Sequence, residues 1–270
     1  MKDTRIAARG LVLLGCGKMG SAMLAGWLQR GLPASAVWVL DPHPSPWVQG
    51  TGVHVNADLP ASPAIVLIAV KPQMMGAALP SLAALGGGDT VFVSVAAGTP
   101  ISAFEDAFGA NSPVIRAMPN TPAAIGRGIT AICANAAGQA ALAEAEDLLS
   151  AVGDVVRLES EAQMDAVTGV SGSGPAYVFH LIETLAAGGL AQGLPEALAL
   201  QLAKATVAGA GALALEAEDD PAQLRVNVTS PNGTTQAALE VLMDEASGFP
   251  ALLPRAVAAA TQRSKELSGG

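Results

Sequence analysis

The chain has 270 residues, a formal net charge of −9 and 3% aromatic residues. Its 51% hydrophobic content supports a sizeable aliphatic core, and 14% charged residues is too few for a disordered chain. An acidic balance with no basic or aromatic cluster excludes a nucleic-acid face. Cys16 and Cys133 are too few for a disulfide framework or a zinc site, and His43, His54 and His180 lack ligand spacing. No metal is expected, and a reducing cytoplasm fits.

Lys2, Arg5 and Arg9 precede the apolar run at 11–14 and Cys16, imitating a lipoprotein signal. The run is short for such a segment. A strand is its better use. Further strands are predicted at 37–40, 65–70, 90–95, 114–117, 129–133 and 155–158, with helical patterns at 18–30, 73–84 and 138–151. Alternation of this kind implies an α/β, doubly wound, mostly parallel sheet covered on both faces. Beyond about 160 the strands stop. Helical patterns follow at 161–168, 174–192, 195–216, 221–226, 235–246 and 250–267, broken by Gly and Pro. The expected division is therefore a dinucleotide-binding domain, 1–160, and an all-helical domain, 161–270. No apolar stretch is expected to span a membrane, since 205–215 is short and bounded by Lys204 and Glu216. The apolar helix at 195–216 implies association instead.

Gly15-Cys16-Gly17-Lys18-Met19-Gly20 follows the first strand and opens a helix. The first glycine allows a tight turn, the second admits a pyrophosphate, and the third lets helix and strand pack closely. Asp41 ends the second strand, where a carboxylate accepts ribose hydroxyls and repels a 2′-phosphate. NADH is thus usable, and a protonated His43 would soften the repulsion. Ala69-Val70-Lys71-Pro72 and the small residues Val95, Ala96, Ala97 and Gly98 end the next two strands, on the edge where doubly wound folds bind ligands. Lysine there reaches a ribose or phosphate, and small residues admit a nicotinamide ring.

The helical half contains one polar interruption, Thr229-Ser230-Pro231-Asn232-Gly233-Thr234-Thr235. Hydroxyls and free backbone N–H groups before a helix form a receptor for a carboxylate without an arginine. The plain reading of the same run is a capped turn.

Together these motifs resemble the pyrroline-5-carboxylate reductase family over about 11–267. The resemblance adds Arg116-Ala-Met-Pro-Asn-Thr-Pro122, Asp165-Ala-Val-Thr-Gly-Val-Ser-Gly-Ser-Gly-Pro-Ala-Tyr177 and Asn227-Val-Thr-Ser-Pro-Asn-Gly-Thr-Thr235 to the glycine loop. It implies reduction of L-1-pyrroline-5-carboxylate to L-proline by hydride from NADPH or NADH, in a homodimer or larger homo-oligomer. By the same resemblance the glycine loop, Asn56, 69–72, 95–97 and Asn227 contact the cofactor. Glu161, Ser230, Gly233, Thr234 and Thr235 face the substrate, and Thr235 orients or protonates the ring nitrogen. Relatives usually carry glycine where this chain has Asn232, which tolerates positive φ. The competing readings are an NAD(P)-dependent 3-hydroxyacid dehydrogenase, a related imine reductase and a non-catalytic dinucleotide-binding regulator.

Overall fold

The computed structural model describes residues 4–269, so Lys2 lies outside the described residues. Two compact units are present: the described residues through Gly172 together with those from Ala260 onward, and Ser173–Ala259. The contact boundary thus lies past the change from strands to helices at 160, because the segment 161–172 packs with the sheet.

In the first unit, eight strands form one sheet: β1 (Leu11–Leu14), β2 (Val37–Leu40), β3 (His54–Val55), β4 (Ile65–Ile68), β5 (Val91–Ser94), β6 (Val114–Met118), β7 (Gly128–Ala134) and β8 (Gly153–Arg157). Their order is β3-β2-β1-β4-β5-β6-β7-β8. All pairs are parallel except β6 with β7. β1 shows why the sheet is buried on both sides. Leu11 and Leu13 point into one core, with Trp27 and Leu148, while Val12 and Leu14 point into the other, with Phe92 and Phe104.

The helices are α1 (Thr4–Arg9), α2 (Lys18–Gln29), α3 (Pro46–Gln49), α4 (Met75–Ala78), α5 (Ile101–Phe108), α6 (Leu142–Leu149) and α7 (Met164–Val167). Only Ala34–Ala36 among the short turns separates α2 from β2. α5 was not expected; its buried Ile101, Phe104 and Phe108 carry the helical spacing within eight residues. The basic residues before β1 serve the same unit. Arg5 pairs with Glu144 at 2.7 Å, and Arg9 donates to Ser62 Oγ at 2.7 Å.

The second unit is helical: α8 (Gly174–Ala191), α9 (Glu196–Glu216), α10 (Pro221–Asn227), α11 (Thr234–Leu242) and most of α12 (Phe249–Leu267). α9 corrects one expectation. The helix extends beyond the apolar run at 205–215 to 21 residues, with a mean hydropathy of 1.5 over an 18-residue stretch, long and apolar enough by composition to cross a membrane. Phe179, Leu185, Leu202, Leu213, Val241 and Leu252 of this unit are all exposed.

Candidate active site

β1, β2, β4 and β5 end in register, with Leu14 opposite both Leu40 and Ile68, and Ile68 opposite Ser94. The chain runs outward from β1 to β2 and β3, then crosses back to β4 on the other side, so a topological switch point lies at β1. Each following loop stays tied to its neighbour for one further residue. Gly15 N–H donates to Leu40 O at 2.8 Å, Ala69 N–H to Leu14 O at 2.8 Å, and Val95 N–H to Ile68 O at 3.0 Å. The glycine loop, Asp41, 69–72 and 95–97 are therefore brought to one edge of the first unit.

The glycine loop has the shape its residues predict. Gly15 has φ +87°, and a Cβ there would lie 2.9 Å from Ala69 O. A Cβ on Gly20 would overlap Gly15 O, so the first turn of α2 lies directly on the strand end. A Cβ on Gly17 would meet nothing within 4 Å. No side chain caps α2 at Gly17, and the first N–H groups of a helix have no intrahelical acceptor. Those of Lys18, Met19 and Gly20 thus have no acceptor within the helix. A dinucleotide's pyrophosphate fits this cradle.

Cys16 is used differently. Its N–H donates to Asp41 Oδ2 at 2.7 Å, and His43 N–H donates to Asp41 Oδ1 at 2.8 Å. Its thiol is buried, and burial raises its pKa above the ordinary value, with further upward pressure from the Asp41 charge. Asn56 holds Asp41 from the other side. Its Oδ1 accepts Asp41 N–H at 3.0 Å and its Nδ2 donates to Asp41 O at 2.8 Å, in a left-handed turn with φ 51°. Lys18 and Lys71 are exposed beside this edge.

Glu161 also belongs to the first unit. Its Oε1 accepts Arg116 Nη1 at 2.7 Å and Ile101 N–H at 2.9 Å. In the sequence Arg116 stands out only as part of a motif. A charged residue inside the apolar strand at 114–118 was the available signal, since a buried guanidinium requires a partner. The motif at 165–177 is likewise structural in its first half. Asp165 Oδ1 accepts Ser264 Oγ–H at 2.7 Å, and Asn120 Nδ2 donates to Ser171 O at 3.2 Å. A Cβ on Gly172 would lie 2.6 Å from Met118 Cε.

Asn227, Ser230, Gly233, Thr234 and Thr235 lie in the second unit. Asn232 has φ 59° and donates its N–H to Gln236 Oε1 at 2.8 Å. α11 starts at Thr234, earlier than the residue pattern predicts, with no side-chain cap from Gly233. The N–H groups of its first turn, including that of Thr235, are without intrahelical acceptors. Two polar side chains are engaged locally: Thr229 Oγ1 donates to Arg225 O at 2.6 Å, and Asn227 Nδ2 to Asp219 Oδ2 at 3.0 Å.

The fold and the glycine cradle define a dinucleotide-dependent oxidoreductase. Two family models match: pyrroline-5-carboxylate reductase dimerisation over 161–267, and coenzyme F420-dependent NADP oxidoreductase over 10–98. A pyrroline-5-carboxylate reductase from Pseudomonas aeruginosa is 42% identical over 265 residues, covering 96% of each chain. A solved pyrroline-5-carboxylate reductase from Coxiella burnetii superposes with a TM-score of 0.90 at 32% identity, covering 96% of this chain and 98% of that one. The reductase from Plasmodium falciparum, solved with NADP bound, gives a TM-score of 0.84 at 26% identity over 97% and 99% of the two chains. The chain belongs to the pyrroline-5-carboxylate reductase family. Membership sets aside the hydroxyacid dehydrogenase and the non-catalytic regulator. It also gives the exposed apolar helices their place, because α8 to α12 fall within the dimerisation model.

Proposed function

We propose that the edge of the first unit binds the dinucleotide and the start of α11 binds the substrate of an imine reductase. The reaction is NAD(P)H-dependent reduction of L-1-pyrroline-5-carboxylate to L-proline, the closing step of proline biosynthesis. The observation that carries the assignment of the substrate half is the uncapped start of α11, held by the left-handed turn at Asn232.

The glycine loop holds the pyrophosphate on the first turn of α2, Asp41 and Asn56 receive the adenosine ribose, and Val95, Ala96 and Ala97 leave room for the ring. Lys71 and Asn227 complete the cofactor contacts. When bound, the reduced nicotinamide supplies the hydride. The N–H groups and hydroxyls of Ser230, Gly233, Thr234 and Thr235 take the substrate carboxylate. This leaves the imine carbon to face the hydride. A threonine hydroxyl is too weak an acid to protonate the ring at neutral pH, so Thr235 orients an iminium already protonated. Holding the reactants in near-attack geometry supplies much of the acceleration.

The protein works as a homodimer, or as a larger ring built from it, and the exposed apolar side chains of the second unit form the contact between subunits. The two cysteines are free and buried, as a cytoplasmic enzyme allows. The test is reduced-dinucleotide consumption with pyrroline-5-carboxylate, set against oxidation of 3-hydroxyisobutyrate. Turnover of the first alone is expected, and its absence would refute the assignment.

A further inference from the structure

The loop at 95–101 leaves β5 and enters α5, and it carries the three residues assigned above to the nicotinamide. Its conformation is held at three points. Ala96 N–H donates to Ser94 Oγ at 3.3 Å. Gly98 has φ +68°, and a Cβ there would lie 3.0 Å from Leu267 Cβ. The third point is the start of α5. Pro100 precedes that helix and provides no side-chain cap. The cap comes from far along the chain, since Glu161 Oε1 accepts the N–H of Ile101 at 2.9 Å.

That oxygen is fixed in turn. It also accepts Arg116 Nη1 at 2.7 Å, and the Arg116 side chain is 5% exposed against 32% for Glu161. Arg116 lies on β6, in register with Ser94 at the end of β5. The rigid sheet therefore holds the guanidinium, the guanidinium holds the carboxylate, and the carboxylate holds the far end of the loop. A negative group at the first turn of α5 also complements the helix dipole.

We propose that Arg116 and Glu161 are positioning residues for the nicotinamide half of the site. Glu161 acts through the loop at 95–101, with its Oε1 committed to Ile101 N–H and to Arg116. The proposal rests on the reading that 95–97 face the nicotinamide.

Binding separates the two roles. Dissociation constants are measured on the full chain for NADH and for ADP-ribose, which lacks the nicotinamide, alongside KM for pyrroline-5-carboxylate at saturating NADH. Glu161→Ala is expected to weaken NADH about tenfold, near 1.4 kcal/mol, with ADP-ribose and substrate KM within about twofold. Glu161→Gln keeps an acceptor for Ile101 N–H and is expected to recover most of the loss. Glu161→Asp, one methylene too short to hold both donors, is expected to weaken NADH and not ADP-ribose, and supplies the measurement should the alanine variant not fold. A raised substrate KM with unchanged NADH affinity would overturn the proposal in favour of direct contact. Equal weakening of NADH and ADP-ribose would overturn it in favour of general damage. Ala97→Leu checks the underlying reading separately: a bulky side chain facing the ring must weaken NADH but not ADP-ribose. If it does not, the placement of the nicotinamide fails by itself.

Discussion

The Asp41 carboxylate accepts the backbone N–H of Cys16 through Oδ2 at 2.7 Å, joining the end of β2 to the glycine loop. His43 N–H holds the other oxygen, and Asn56 brackets the Asp41 backbone. The carboxylate is therefore held in place, where the proposed site receives the adenosine ribose. The segment 41–50 contains no lysine or arginine to neutralise a 2′-phosphate. NADH is expected to bind more tightly than NADPH. Asp41→Asn is expected to narrow the ratio of dissociation constants about tenfold, equivalent to ~1.4 kcal/mol. Fluorescence titration with both dinucleotides measures this, and tighter NADPH binding by the unaltered chain would defeat it.

Gly17 and Gly20 should separate binding from folding. A methyl group on Gly20 overlaps Gly15 O, whereas one on Gly17 meets only open space at an ordinary φ of −71°. Gly20→Ala is expected to lower Tm by several degrees, the response to a loss of about 1–3 kcal/mol. Gly17→Ala should leave Tm unchanged and weaken dinucleotide binding, because its methyl stands where the pyrophosphate approaches. A normal affinity in Gly17→Ala would remove this loop from the phosphate site.

The parts of this fold that are legible in the sequence are those carried by local pattern. Apolar runs such as 11–14 and 65–68 mark buried parallel strands, and the glycine spacing marks the turn between β1 and α2. α5 is not legible because its apolar pattern spans only eight residues directly after Pro100. The antiparallel β6–β7 pair depends on a bend at 121–125 that resembles the other loops in composition. Partnerships across the chain were the least legible. Arg116 with Glu161 and Asp165 with Ser264 depend on where the sheet and the last helix bring distant segments. Within the substrate loop, residue type identified the hydroxyls but not their use. Thr229 lends its hydroxyl to α10, while the start of α11 lacks a side-chain cap.

Cys133 lies in the core beside the Arg116–Glu161 pair. Burial, with a further contribution from the Glu161 charge, raises its pKa from the ordinary 9.0 to about 11, despite the opposing effect of Arg116. In the unfolded chain the thiol ionises near its ordinary pKa, so there the unfolded state releases its proton first. The associated stability is complete below pH 9.0 and is lost as pH rises towards about 11. The denaturant midpoint is expected to fall across that window in the unaltered chain, and to fall less in Cys133→Ala. Equal slopes in the two would show that the thiol is not responsible.

Thr235 stands in the first turn of α11, half-buried, behind the left-handed turn at Asn232. If its hydroxyl orients the ring nitrogen, removing it deletes one hydrogen bond at the reacting group. A bond of about 1.5 kcal/mol corresponds to roughly tenfold in rate. Thr235→Ala is therefore expected to lower kcat by about that factor while leaving dinucleotide affinity intact, and Thr235→Ser to restore most of it. Asn232→Gly is the matching control, because glycine adopts the same positive φ without strain and should leave kcat near its original value. Stopped-flow measurement of a single turnover isolates the hydride step from product release. An unchanged single-turnover rate in Thr235→Ala would take the hydroxyl out of the mechanism and leave the backbone N–H groups of α11 to hold the carboxylate alone.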